Sequence, residues 1–286
     1  MKPVNLKTKM FLDSGDPNDT QILLSLLGFL DGQTTNPSLI AKSPGVTERL
    51  ERGEKFNKEE LFSFYKDTVQ RVSSLIPRGS VSVEVYADKD TTAEEMFSQG
   101  KEMFSWVENA HIKFPTTKEG LKAAEQAIQE GMRVNMTLCF TQEQAAAAYG
   151  ATKGAKKGDV FVSPFIGRLD DRGQNGMQLI ANILKMYKHG DGHVEVLTAS
   201  VRSLDHLLHA IQLGSDIITS PGKILKEWGE QDMPLLDDTR QEQEGLEAIL
   251  YKEINLEQDW ESFDITHDLT DKGIERFAAD WNNLLK

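Results

Sequence analysis

The 286-residue chain is 39% hydrophobic and 27% charged, a composition that excludes collagen-like, low-complexity and wholly disordered polymers and can fill one large core. Its net charge of −13 argues against a broad nucleic-acid or anionic-membrane surface. The longest apolar run, residues 23–30, is broken by Ser25 and Gly28 and falls far short of the roughly 20 residues that a membrane span needs. The start, Met1-Lys-Pro-Val-Asn, carries no secretory apolar stretch. The single cysteine, Cys139, cannot make an internal disulfide and fits a reducing compartment. The expectation is a cytoplasmic protein with no membrane or nucleic-acid partner. The charge is uneven, because residues 227–264 hold 13 acids against Arg240 and Lys252 while the remainder is nearly balanced. This acidic stretch reads as a solvated outer face. An anionic substrate stays compatible with the overall charge wherever arginines or lysines cluster.

Taken in chain order, short β-rich runs alternate with helical ones. Strands are predicted at 10–13, 28–35, 80–87, 111–116, 133–140, 160–167, 194–200 and 216–220. Residues 38–79 exceed what one crossover needs, and an extra helix is predicted over 58–75. On it and just before it, Phe56, Phe62, Phe64 and Tyr65 read as packing residues. Thr92 with Glu95, and Thr141 with Gln144, fit the capping box, in which a hydroxyl and a long polar side chain satisfy orphan N–H groups. Thr117 and Ser203 fit as simple N-caps. Gly131, Gly190 and Gly214 follow helical stretches, where a left-handed cap favours glycine. Residues 222–286 are helical in pattern and follow the eighth strand. The rhythm predicts an α/β fold, a (β/α)8 TIM barrel over about 9–221 with a C-terminal helical extension over 222–286, all in one domain. A doubly wound parallel sheet is the alternative.

Strand phase separates inward from outward side chains, because successive residues face opposite sides. Val81, Val83 and Val85 take the outward phase that helices cover, so Ser82, Glu84 and Tyr86 point inward. By the same phase Ile112 and Phe114 go out and Lys113 goes in. Met136, Leu138 and Phe140 go out, while Asn135, Thr137 and Cys139 go in. Glu84, Lys113 and Thr137 therefore converge on neighbouring strands. Burial disfavours the charged form of a lysine, and a neutral amine can attack a carbonyl to form a Schiff base. The competing reading is a scaffold ion pair between Lys113 and Glu84. Asp13 and Asn36 lie at C-terminal strand ends, the face on which barrel active sites form; a helix cap for Asp13 and turn chemistry for Asn36 compete. Arg168 and Arg202 trail the sixth and seventh strands, where a guanidinium fork suits phosphate, and ordinary surface arginines are the alternative.

Other groups read as structural. His206 and His209, spaced i, i+3, lack a companion carboxylate motif for metal. The Gly150–Gly158 stretch lacks P-loop spacing and reads as a flexible loop. Cys139 reads as a small core residue.

Several segments, in order along nearly the whole chain, resemble the class I transaldolases and fructose-6-phosphate aldolases. They are Phe11-Leu-Asp-Ser-Gly-Asp16, Thr34-Thr-Asn-Pro-Ser38, Val83-Glu-Val85, Ile112-Lys-Phe-Pro-Thr-Thr117, Asn135-Met-Thr137, Ser163-Pro-Phe-Ile-Gly-Arg168 and Ala199-Ser-Val-Arg202. The run from Thr270-Asp-Lys-Gly to Asp280-Trp281 resembles the family's C-terminal helix, whereas residues 229–263 match no motif of it. The resemblance implies a Schiff-base lysine at Lys113 and a C4-hydroxyl acid/base at Asp13. It implies a catalytic water held by Glu84 and Thr137. Asn36, Asn135 and Ser163 would bind the dihydroxyacetone unit. Arg168, Ser200 and Arg202 would grip phosphate, with Phe165 beside the site. It further implies sugar-phosphate substrates of the pentose phosphate pathway, no cofactor and no metal, and it leaves homo-oligomerisation open. In the family's pattern, glutamate rather than glutamine at position 84 favours the transferase over an aldolase that frees dihydroxyacetone. A non-catalytic sugar-phosphate-binding barrel is the reading from another class.

Overall fold

A computed structural model describes residues 2–235 and 245–286. Its eight strands are β1 (Lys9–Asp13), β2 (Gly32–Thr34), β3 (Ser80–Glu84), β4 (Ala110–Pro115), β5 (Val134–Cys139), β6 (Val160–Pro164), β7 (Val194–Thr198) and β8 (Ile217–Ser220). They pair in sequence order, all parallel, and β8 closes on β1. This is the (β/α)8 barrel that the alternation predicts. Helices α1 (Pro17–Leu27), α2 (Pro37–Ala41), α3 (Pro44–Glu51), α4 (Lys58–Leu75), α5 (Ala93–Phe104) and α6 (Lys118–Gln129) occupy the first half. They are followed by α7 (Gln142–Ala151), α8 (Ile166–Asp170), α9 (Gly176–Tyr187), α10 (Leu204–Leu213), α11 (Gly222–Glu230) and α12 (Asp268–Asn282). The outward strand residues Val81, Val83, Ile112, Phe114 and Met136 are fully buried beneath these helices. Among the described residues no helix is long and apolar enough to cross a membrane.

Local chemistry sets most boundaries. The capping box at Thr92 and Glu95 forms as expected, and Asn57 with Glu60 makes another at the start of α4. Thr141 caps α7, but its partner Gln144 accepts from the Phe140 N–H instead of reaching back to Thr141. The Gln144 amide also donates to the Thr270 hydroxyl and the Ile265 carbonyl, so tertiary contacts claim the side chain that would have closed the box. Thr117 and Ser203 cap α6 and α10.

Further expectations change. The second strand begins at Gly32, not at 28, because Gly28 ends α1 in the left-handed region at φ 77°. Gly190 does not adopt a positive φ; it lies beneath the Tyr149 ring, where a Cβ would come within 2.3 Å of the hydroxyl. The extension is only partly helical. Beyond α11 and α12 its described residues hold one 3-10 turn, Trp260–Ser262, and residues 245–259 are not helical. Side-chain amides of the barrel helices hold this stretch open. Gln142 bonds both the N–H (2.8 Å) and the C=O (3.1 Å) of Lys252. Gln178 accepts from the Ile249 N–H and Asn182 donates to its C=O, both at 2.8 Å. Residues 236–244 of the acidic stretch lie outside the described residues.

Candidate active site

At the C-terminal mouth of the barrel lies a cavity of about 250 Å³. Asp13, Asn36, Lys113, Thr137, Ser163, Phe165, Arg168, Ser200 and Arg202 all line it. Glu84 sits behind them, in contact with Lys113. The structure thus brings together the site residues expected from sequence except Asn135, which does not line the cavity and bonds instead to Ser163, which does. It also adds residues that sequence reasoning missed, chiefly Thr219 of β8, Lys223 of α11, and Arg276 and Phe277 of α12. The i, i+3/i+4 series Gly273, Arg276, Phe277 and Asp280 was the available signal for the last two, because that face of α12 lies over the mouth.

Lys113 and Glu84 are cross-strand partners on β4 and β3, with side chains about 4% exposed. The Lys113 Nζ lies 2.8 Å from Glu84 Oε2 and donates to the Thr35 carbonyl at 3.1 Å. Apart from this ion pair, Glu84 Oε2 has no hydrogen-bond partner, and Thr137 Oγ1 is likewise buried without one. Burial raises the Glu84 carboxyl above the usual range, and the Lys113 charge opposes that rise. Asp13, at the end of β1, is shifted the same way for the same first cause, again opposed by Lys113 and by a hydrogen bond from Thr34. That bond is 2.7 Å, so the Thr34 hydrogen goes to Asp13 and Thr219 donates to Thr34 from the far side. Asp13 is not a helix cap; Asp16 caps α1. Asn36 does both jobs, since its Oδ1 caps α2 while the residue lines the cavity.

On the next wall, Asn135 accepts from Ser163 at 2.6 Å and donates to Ser82 at 3.1 Å. The inward phase of β5 holds through Thr137 and then breaks. A register shift follows Met136, Leu138 takes a φ of 59°, and its side chain abuts Gly273 of α12 rather than an outer helix. Cys139 is buried with its thiol pushed up to about 12, a core residue rather than a nucleophile.

The cationic side is built by the loops after β6 and β7. Arg168 lies between the Phe165 and Phe277 rings, at 5.3 and 5.6 Å, and has no ion-pair partner among the described residues. Burial lowers its pKa, and Arg276 and Arg202 lower it further. Arg202 pairs with Asp171 at 2.9 Å. Its backbone N–H donates to Nδ1 of His206, whose Nε2 lies 2.8 Å from Asp170. His206 thus serves as a loop tie, and among the described residues no cluster of three or more His, Cys, Asp or Glu could hold a metal. Ser200 sits at φ 59°, uncommon for a residue with a side chain and a recurrent feature of binding loops. Its carbonyl accepts from Gly167, where a Cβ would come within 2.5 Å of the Arg202 side chain. Only glycine lets these two loops approach so closely. Three guanidinium groups surround one cavity, and only one is closely paired, an arrangement whose charge and donor geometry suit an anion with several oxygens.

The profile of the Transaldolase/Fructose-6-phosphate aldolase family matches residues 10–286. A probable transaldolase of Dehalococcoides mccartyi is 34% identical over 278 residues, covering 97% of this chain and all of the relative. A probable transaldolase of Brucella ovis is 36% identical over 275 residues, covering 96% of each chain. Among solved structures, 3-hexulose-6-phosphate synthase from Salmonella typhimurium superposes with a TM-score of 0.47 at 11% identity, covering 80% of this chain and all of that one. With the profile spanning nearly the whole sequence, the chain belongs to the transaldolase/fructose-6-phosphate aldolase family.

Proposed function

We propose that this protein is a transaldolase that carries a dihydroxyacetone unit on Lys113. The observation that carries the reading is the buried Lys113 amine, 2.8 Å from a Glu84 carboxylate oxygen that makes no hydrogen bond, at the wall of a cavity lined by arginines. In this reading the deprotonated amine attacks the C2 carbonyl of a ketose phosphate such as fructose 6-phosphate or sedoheptulose 7-phosphate. Loss of water leaves an imine. Asp13 takes the proton of the C4 hydroxyl, the C3–C4 bond breaks, and the aldose phosphate departs. The electron pair stays on C3, delocalised into the protonated imine. The same steps in reverse join this carbon to an acceptor such as erythrose 4-phosphate, and water then frees the new ketose.

Each remaining side chain has a place in that scheme. Glu84 and Thr137, each with a buried oxygen that no protein group hydrogen-bonds, suit a shared water that moves protons as the imine forms and breaks. Asn36, Asn135 and Ser163 offer polar groups to the three-carbon unit, and Phe165 closes one side. Arg168, Ser200 and Arg202 fit the phosphate. Protein charges take on the stabilisation of the intermediate, so the scheme needs no metal or other cofactor. The cytoplasm and pentose phosphate metabolism suit these substrates.

A second reading, an aldolase releasing free dihydroxyacetone, uses the same lysine. The Glu84 carboxylate favours the transferase, because its charge can hold and tune that water. The test is an assay with fructose 6-phosphate, with and without erythrose 4-phosphate. The transferase reading predicts sedoheptulose 7-phosphate as the main product and little cleavage without acceptor. Free dihydroxyacetone as the main product in both arms supports the aldolase, and no turnover in either arm rejects both.

A further inference from the structure

Tyr65 stands on α4, the helix inserted between β2 and β3, and is fully buried between Trp106 and Trp281. Its ring fits the packing stripe expected from sequence. Its hydroxyl does something that packing does not require. Tyr65 Oη accepts the backbone N–H of Glu84 at 2.9 Å and lies 2.7 Å from Thr35 Oγ1. Thr35 has one hydroxyl hydrogen, and it points to the Ser82 carbonyl at 2.8 Å. The direction of the Tyr65–Thr35 bond follows: Tyr65 donates and Thr35 accepts. Burial pushes the phenol far above its ordinary range, so that hydrogen stays in place at any working pH.

The two residues held by this hydroxyl are the two that flank the Lys113 amine. Thr35 gives its carbonyl to Lys113 Nζ at 3.1 Å, and Glu84 places Oε2 at 2.8 Å. β2 ends at Thr34, so Thr35 lies just beyond the ladder and takes its position from the Ser82 carbonyl and from Tyr65. We infer that Tyr65 is a positioning residue, whose hydroxyl fixes the Thr35 carbonyl and the Glu84 backbone on either side of the Lys113 amine. The inference rests on the Lys113 reading above and extends it to a helix outside the barrel's repeating unit. The physical reason is geometric. A nucleophile displaced by a fraction of an ångström loses its line of attack, while the distant phosphate contacts remain unchanged.

The test compares wild type, Tyr65→Phe, Thr35→Val and the double variant in turnover of fructose 6-phosphate with erythrose 4-phosphate. Near-ultraviolet circular dichroism checks that each is folded. Phenylalanine keeps the ring between the two tryptophans, and valine keeps the Thr35 carbonyl. The expected result for Tyr65→Phe is a fall in kcat of about ten-fold with KM for fructose 6-phosphate changed by less than about two-fold. Thr35→Val should also lower kcat, and the double variant should lose more than either single variant but less than the product of their losses, because the two share the Tyr65–Thr35 contact while only Tyr65 holds the Glu84 N–H. An unchanged kcat, losses shared equally between kcat and KM, or losses that multiply in the double variant would each overturn the inference. A parallel Lys113→Arg variant separates the two levels: if it still turns over, the Lys113 reading itself has failed.

Discussion

The barrel interior holds two lysine–carboxylate pairs, one near each mouth, and they differ in a way that separates scaffold from chemistry. Near the N-terminal mouth, Lys9 of β1 donates to both oxygens of Glu195 on β7, at 2.9 and 3.0 Å. Glu195 is buried, but the Lys9 side chain is 39% exposed. Next to them, His111 stacks on Phe161 at 4.1 Å. Its Nε2 can only donate to the Gly158 carbonyl, at 2.9 Å, which leaves Nδ1 to accept from Ser80 at 2.8 Å. Every polar group in that set has a partner. Near the C-terminal mouth, Lys113 is 3% exposed, its carboxylate partner keeps an oxygen without a hydrogen bond, and an arginine-lined cavity adjoins it. A satisfied pair is a strut. A buried pair left incomplete beside a cavity is costly, and such cost is characteristic of functional sites.

Removing each lysine should make this contrast visible. Lys113→Met is expected to reduce turnover to background. Lys9→Met should keep the turnover number close to wild type and lower stability by roughly 1.5–3 kcal/mol, the value of hydrogen bonds to a charged group. Urea unfolding and steady-state kinetics on both variants check this, and similar kinetic losses in both would erase the distinction between the two mouths.

Arg202→Ala tests whether the upper cavity owes its character to phosphate. One charge-assisted contact of roughly 1.5–3 kcal/mol corresponds to a rise in KM of about ten- to a hundred-fold for phosphorylated substrates. Unphosphorylated dihydroxyacetone as donor should be affected far less, and equal losses for both would make Arg202 a structural residue. A subtler change should follow from Glu84→Gln, which keeps the shape and removes the charge beside Lys113. The ratio of free dihydroxyacetone to sedoheptulose 7-phosphate is expected to rise, and an unaltered ratio would separate Glu84 from the transferase character.

The smallest effect lies at the lower mouth. Burial lowers the His111 pKa to about 3, against an ordinary value near 6.5. Above 6.5 neither the folded nor the unfolded state carries that proton. Between 6.5 and 3 the unfolded chain binds it and the folded protein does not, so stability is lost as pH falls through that window. The slope from this residue is about 1.4 kcal/mol per pH unit. In His111→Phe, unfolding free energies from urea titrations between pH 6.5 and 4.5 should fall less steeply by that amount, while turnover is unaffected.

The upper wall was legible in the sequence because a strand has a period of two. Alternation alone placed Glu84, Lys113, Asn135 and Thr137 inside, and the structure holds them there. The period fails at Leu138, where an irregularity packed against α12 interrupts it. The aromatic stripe on α4 concealed Tyr65, since hydropathy records the ring and not the destination of its hydroxyl. His206 reads from sequence with His209 as an i, i+3 pair without a metal motif; its use appears only when the loops after β6 and β7 meet. The tail resisted reading for a similar reason. Gln142, Gln178 and Asn182 hold it extended from helices about 70 to 110 positions away in sequence, and no local propensity encodes such clamps.

The most direct measurement of the central claim is borohydride reduction of the protein with fructose 6-phosphate, followed by proteolysis and mass mapping. A Schiff base on Lys113 gives irreversible inactivation and one reduced dihydroxyacetone adduct, on the peptide that contains Lys113, with Lys9 unmodified. An adduct on any other lysine, or full activity after reduction, would contradict it.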